Sequence, residues 1–235
     1  MCSATASIYQ QFVHCGEERE LSPAFIVNML GCNLSCPTCS ERIHWQTAKR
    51  IWRGDAKTYA AKLAPHLETA NIKSFEWIGG EPTIWLPFVL EATQQLKKTL
   101  SRKLPFYLNT NGYYDAAHND ELTLLMDGFV FDLKACDACA HKIVGPALNY
   151  YETVCKNILL ACASSCDIIV RHLVMPGHFD CCTKPCIDWL CANAPRARIN
   201  IMTTFQNFND CPEYPFSLSK EEKLKAEELK AEYHI

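Results

Sequence analysis

The chain has 235 residues, 49% of them apolar and 21% charged, with a mean hydropathy of −0.10. That suffices for one large domain or two small ones, and excludes a disordered chain, a collagen-like fibre and a membrane bundle. Lysine and arginine total 23 against 26 acidic residues, a net charge of −3 that argues against a nucleic-acid or membrane partner.

In chain order, Met1–Cys15 shows no basic leader and no continuous apolar stretch, so the expectation is that no signal peptide is present. Short β-branched runs predict strands over Ala24–Met29, Ser74–Ile78, Pro105–Leu108, Gly128–Leu133, Asp167–Val174 and Arg198–Met202. Helices are expected between them over Ala56–Ala70, Pro87–Ser101, Asp120–Met126, Tyr150–Ala163 and Thr183–Ala192. A charged helix over Ser219–Glu232, with Lys and Glu at i,i+4 spacing, closes the chain as a solvated cover. The alternation predicts a single α/β domain with a parallel sheet and right-handed crossovers, either an incomplete barrel or a doubly wound sheet. Residues 1–22 read as an N-terminal extension, 23–217 as the core and 218–235 as a C-terminal helix.

Fifteen cysteines are the unusual feature. They point to a secreted disulfide scaffold, a metal or cluster protein, or an anaerobic setting in which thiols persist. An odd number cannot pair completely, so a reducing cytoplasm is expected. Cys32, Cys36 and Cys39 follow the first expected core strand at Cys-x3-Cys-x2-Cys spacing. Three thiolates on one loop converge on a soft metal centre. A [4Fe–4S] cluster held by three cysteines keeps one iron open to another ligand. With His44 added, the same residues make a Cys3His zinc site, and spacing alone leaves cluster and zinc equally matched.

The ends of the other strands favour the cluster. They carry Gly79-Gly80-Glu81-Pro82, Asn109-Thr110-Asn111-Gly112, Asp132-Leu133-Lys134, Arg171-His172 and Thr203-Thr204-Phe205-Gln206. In parallel α/β folds the carboxyl ends of the strands form the functional rim. Paired glycines admit a close backbone approach, Glu81 suits an ammonium group, Lys134 and Arg171 suit a carboxylate, and Asn109, Thr110 and Asn111 suit a ribose. S-adenosylmethionine carries all three groups. Arg171 and His172 alternate on one strand, and Arg171 is the one expected to face the interior.

On these residues the sequence resembles the radical S-adenosylmethionine enzymes. Cys32, Cys36 and Cys39 match the cluster triad of that superfamily, and Gly79, Gly80, Glu81 and Pro82 match its methionine-amino motif. More narrowly, it is similar to pyruvate formate-lyase activating enzymes and their uncharacterised relatives, through His14–Glu18, Gly31–Leu34, Leu108–Gly112, Asp132–Lys134 with His141 and Gly145, and Arg171–Gly177. The resemblance implies a partial (β/α)6 barrel of the TIM type, with a [4Fe–4S] cluster on Cys32, Cys36 and Cys39. It implies reductive cleavage of S-adenosylmethionine to a 5′-deoxyadenosyl radical, with flavodoxin or ferredoxin as electron donor. S-adenosylmethionine contacts are expected from Gly79, Gly80, Glu81, Pro82, Asn109, Thr110, Asn111, Asp132, Lys134, Arg171 and Gln206.

Three positions depart from the family pattern. Thr38 replaces the usual aromatic before the third cysteine, leaving adenine to Trp45, Ile84 or backbone. Asn109 replaces an aspartate of the activating enzymes, and Gln206 only approximates a histidine. The expected substrate is a small molecule or peptide; the alternatives are activation of a glycyl-radical enzyme and a non-catalytic zinc or electron-transfer protein. Cys136-x2-Cys139 and Cys181, Cys182, Cys186 and Cys191 read more readily as half-buried thiols than as an auxiliary cluster.

Overall fold

The computed structural model describes residues 4–16, 18–42, 47 and 49–235, arranged as two compact units. Glu17, within the His14–Glu18 resemblance, and His44 and Trp45, named above as a zinc ligand and an adenine contact, lie outside the described residues.

The first unit comprises residues 1–33, 44–110 and 120–129. Its strands are β1 (Thr5–His14), β2 (Ala24–Met29), β3 (Trp52–Asp55), β4 (Ser74–Gly79) and β5 (Phe106–Thr110), in the order β3-β1-β2-β4-β5. The β2–β4 and β4–β5 pairs are parallel, with Ala24 opposite Ser74 and Phe75 opposite Phe106. The β1 strand is antiparallel to both β2 and β3, so part of the expected N-terminal extension is sheet. All six residues of β2 are buried, as suits a central strand whose apolar run is interrupted only by Asn28.

Helices α1 (Ala56–Thr69) and α2 (Leu86–Thr99) pack on this sheet. Asp55 caps α1 by accepting from Thr58 N at 2.9 Å, a contact worth about 1 kcal/mol. The segment after α1 is held by Arg102, whose guanidinium donates to the Ala70 and Ile72 carbonyls at 2.6 and 2.8 Å. Between the layers, Phe75 lies 4.9 Å from both the Trp77 and Phe106 rings, and buried Trp77 donates Nε1–H to Thr93 Oγ1 at 2.8 Å. The short α3 (Asn119–Leu125) leads into β6 (Gly128–Asp132).

The second unit comprises residues 34–43, 111–119 and 130–235. It holds the end of β6, then β7 (Asp167–Leu173) and β8 (Arg198–Met202), in that order, with β7 and β8 parallel. Its helices are α4 (Ala140–Val144), α5 (Tyr150–Cys162), α6 (Lys184–Asn193) and α7 (Lys220–Tyr233). The α7 helix starts with a reciprocal Ser219–Glu222 capping box. It is held by buried Ala226 and Leu229 and by Tyr233 OH donating to Asp188 at 2.8 Å. Among the described residues no helix is long and apolar enough to cross a membrane.

Candidate functional site

In the first unit the Gly79–Pro82 motif is built onto the chain segment that leads into Cys32. Gly80 N donates to Met29 O at 3.0 Å and Glu81 N to Gly31 O at 2.8 Å. Trp85 Nε1 donates to Leu30 O at 2.7 Å. Both motif glycines are dictated by this contact. Gly79 has φ +117°, and a Cβ on Gly80 would sit 1.9 Å from the Gly31 carbonyl oxygen. The close approach that the glycine pair allows is therefore made by the chain's own backbone.

Glu81 is fully buried, and its Oε1 accepts from Thr83 N at 3.0 Å, Thr83 Oγ1 at 2.7 Å and Thr110 Oγ1 at 2.7 Å. It thus caps the short turn Pro82–Trp85 and joins it to the end of β5. Asn109 Nδ2 donates to Glu76 Oε2 at 3.4 Å. Cys32 is half-buried, and Pro82 and Thr110 are buried.

In the second unit the loop carrying Cys36 and Cys39 is pinned at several points. Ser35 N donates to Val144 O at 3.2 Å, and a Cβ on Gly145 would meet Ser35 Oγ at 2.6 Å. Cys39 N donates to Cys36 O at 3.3 Å, closing a turn that holds both thiols, and Arg42 Nη2 donates to the same carbonyl at 2.7 Å. Asn209 Nδ2 donates to Pro37 O at 3.1 Å and Cys39 O at 2.8 Å. Thr38, in place of the expected aromatic, sits within this clamped turn.

At the end of β6, Asp132 joins two cations: Arg171 Nε donates to Oδ1 and Lys134 Nζ to Oδ2, each at 2.8 Å. Burial opposes ionisation of Asp132, but the two cations prevail and hold its carboxyl well below the usual range. Burial likewise disfavours the Lys134 ammonium, yet Asp132, with a smaller contribution from Cys36, raises its pKa. Tyr150 OH accepts from Lys134 N at 3.0 Å and donates to Asp132 O at 3.3 Å.

His172 points the other way from Arg171 and is buried, 2.7 Å from Leu133 O through Nδ1 and 3.0 Å from Thr183 Oγ1 through Nε2. A carbonyl only accepts, so Nδ1 carries the proton and Nε2 accepts from the threonine. Burial, assisted by Lys134, lowers its pKa to about 4 against the Leu133 bond. The neutral ring is the folded form, so its contribution is complete above the unfolded value of 6.5 and is lost as pH falls through about 4. The expected acid loss from this group is about 3 kcal/mol. Urea unfolding near neutrality and at about pH 4 should show a smaller acid loss for His172→Gln than for wild type. Parallel profiles would exclude a buried neutral imidazole.

Of the remaining expected site residues, Asn111 Oδ1 accepts from Tyr113 N at 2.8 Å, shaping its own turn. Gln206 is exposed and pairs by backbone with Ser217. Two buried or half-buried asparagines that were not anticipated do comparable structural work. Asn157 Nδ2 donates to the Gly112 and Tyr114 carbonyls, both at 2.9 Å, and Asn209 clamps the cysteine turn. Asn157 was discoverable as a polar residue on the apolar face of a helix.

The donor set suits a soft metal cluster: Cys32, Cys36 and Cys39 are half-buried thiols outside any disulfide, two of them on a turn fixed through its backbone. Comparison with known proteins agrees with this chemistry. The profile of the radical SAM superfamily matches residues 26–190. An uncharacterised protein of Methanocaldococcus jannaschii is 28% identical over 246 residues, spanning 100% of this chain and 70% of its own length. Streptococcus suis SuiB bound to the precursor peptide SuiA superposes with a TM-score of 0.65 at 13% identity, over 88% of this chain and 45% of its own. The corresponding values for anSMEcpe with bound AdoMet are 0.61, 17%, 87% and 58%. For the Escherichia coli coproporphyrinogen III oxidase HemN, described as a radical SAM enzyme, they are 0.62, 12%, 96% and 57%. The chain spans about half the length of these solved structures. They show a mixed α/β fold with a mostly parallel sheet, in keeping with the expected partial barrel. The chain belongs to the radical SAM superfamily.

Proposed function

We propose that Cys32, Cys36 and Cys39 are the protein ligands of the [4Fe–4S] cluster and that the enzyme modifies a small molecule or peptide by hydrogen abstraction. The observation that carries this reading is the bonding of the Gly79–Pro82 motif to the Met29–Gly31 segment immediately before Cys32. It joins the cofactor-binding motif to one end of the cysteine loop. When bound, the cluster supplies one-electron reduction of the S-adenosylmethionine sulfonium, the source of methionine and a 5′-deoxyadenosyl radical.

The chain's part is binding and orientation. Glu81 accepts from the ammonium of the cofactor, while Gly79, Gly80 and Pro82 shape the backbone around that group. Asn109, Thr110 and Asn111 serve its ribose, and Lys134 and Arg171, oriented by Asp132, serve its carboxylate. Gln206 makes a polar contact at the end of the last core strand. Flavodoxin or ferredoxin supplies the electron, in a cytoplasmic setting.

A peptide substrate is supported by two fold relatives, SuiB bound to a precursor peptide and anSMEcpe with bound AdoMet and Cp18Cys peptide. The second reading, activation of a glycyl-radical enzyme, draws on Leu108–Gly112 and Asp132–Lys134. A glycyl radical seen by EPR after mixing with a candidate partner would select it.

The test is anaerobic reconstitution, reduction and assay for 5′-deoxyadenosine. Glu81→Gln keeps an acceptor for Thr83 and Thr110 but removes the charge. It should weaken S-adenosylmethionine binding about tenfold or more and leave the cluster absorption unchanged. Wild-type affinity in that variant would remove Glu81 from the cofactor site.

A further inference from the structure

A second set of sulfur and nitrogen donors lies in the second unit, apart from the cluster motif. Cys136 and Cys139 stand at Cys-x2-Cys spacing after β6, and Cys139 N donates to Cys136 O at 3.2 Å, so one turn presents both thiols. After β7 the chain makes one wide helical turn, Phe179–Thr183, in which Cys182 N and Thr183 N both donate to His178 O, at 3.0 and 3.1 Å. This uncommon turn, of a kind that concentrates at functional sites, presents His178 and Cys181 to the first pair. Cys139 Sγ lies 3.6 Å from Cys181 Sγ and 3.7 Å from His178 Nδ1, and Cys181 Sγ lies 3.4 Å from that nitrogen. The Sγ atoms of Cys136, Cys139 and Cys182 form an overlapping group within 4.8 Å.

These spacings discriminate between metal centres. Ligands at about 2.3 Å (sulfur) and 2.0 Å (nitrogen) from a tetrahedral ion stand about 3.8 Å apart for two sulfurs and about 3.6 Å for sulfur and nitrogen. The three observed separations match those edges. An iron–sulfur cluster places several metals between its thiolates and spreads them farther apart. The geometry points to a mononuclear zinc-type site formed by Cys139, Cys181 and His178, with the fourth position left to a water molecule.

The Cys136 amide already donates to Cys182 Sγ at 3.1 Å, tying the two loops together before any ion binds. Binding one divalent ion forms two metal–sulfur bonds and one metal–nitrogen bond, leaves the fourth position to water, and releases two thiol protons to solvent. The ion would clamp the loop that follows Lys134 to the loop that follows His172. Its role is positioning.

The experiment uses the full chain with Cys32, Cys36 and Cys39 all replaced by alanine, handled anaerobically and titrated with cobalt(II). One equivalent should give the intense tetrahedral ligand-field and thiolate charge-transfer bands, and one equivalent of zinc should bleach them. X-ray absorption of the zinc form should show two sulfurs, with nitrogen or oxygen in the other two positions. Cys139→Ser in that background should abolish the bands, whereas Cys166→Ser should leave them. Octahedral cobalt, iron with sulfide bound at these cysteines, or a Cys139–Cys181 disulfide under anaerobic conditions would each overturn the proposal.

Metal analysis of the otherwise wild-type holoprotein gives an independent arm. Cys139→Ser should lose zinc and keep iron, and Cys36→Ala should lose iron and keep zinc. Zinc that disappears with Cys36 instead would overturn this site. Zinc retained here in a protein that never binds iron would leave it standing and overturn the cluster assignment.

Discussion

Replacing Cys36 with alanine should give a colourless protein that forms 5′-deoxyadenosine more than about a hundredfold more slowly than wild type, at background. Loss of a group that hydrogen-bonds a metal ligand typically costs about ten- to a hundredfold in metal affinity, and loss of the ligand itself costs more. The fold should survive, because the turn around Cys36 is held by main-chain and side-chain bonds that do not use its thiol: Cys39 N and Arg42 donate to the Cys36 carbonyl, and Asn209 to its neighbours. The thiol itself is only half-buried, so its removal leaves no large cavity. Iron and sulfide analysis with circular dichroism separates loss of the cluster from loss of structure. A variant that retained iron and sulfide in the wild-type ratio would remove Cys36 from the ligand set.

Replacing Gly80 with alanine should be nearly as damaging, for a mechanical reason. The added methyl would meet the Gly31 carbonyl oxygen at 1.9 Å and its carbon at 2.6 Å, both main-chain atoms without a rotamer to change. One segment must move, which strains or breaks the Gly80–Met29 and Glu81–Gly31 hydrogen bonds. Overpacking of about 1–3 kcal/mol and two weakened bonds of about 1 kcal/mol each together come to about 3–5 kcal/mol. For a chain of this size that lowers Tm by about 10 °C. Because Gly31 precedes Cys32, iron retention through purification should fall as well. Gly177→Ala is the control: a Cβ there meets nothing within 4 Å, although φ of +76° still costs about 1–2 kcal/mol. Equal Tm values for the two variants would show that the Gly80 contact relaxes freely.

Much of the fold was legible because the central strands are largely apolar runs. Ala24–Met29 lies where its composition puts it. The β1 strand escaped because its sequence, TASIYQQFVH, loses alternation where the register shifts between Ile8 and Gln10. The four-residue β3, WRGD, has a glycine and two charges and no strand signature at all. At the candidate site, residue types were readable and partners were not. Glycine pairs signal close approach, but nothing in the sequence says that the approaching atom is the oxygen of Gly31. Glu81 read as a ligand acceptor also gathers Thr83 and Thr110, and the threonine at 110 is brought to it only by strand pairing. The alternation of Arg171 with His172 did separate the two side chains correctly: one joins Asp132, the other turns to Leu133 and Thr183. The His178–Cys181 pairing with Cys139 depended on a wide turn that no local pattern announces.

The Asn209 clamp has a consequence for how the enzyme is made. Its side chain fixes carbonyls 170 and 172 residues earlier in the chain. During synthesis at about 5–20 residues per second, the cysteine loop emerges many seconds before the residue that sets its final shape. Iron delivered before Asn209 has emerged would therefore meet an unclamped loop.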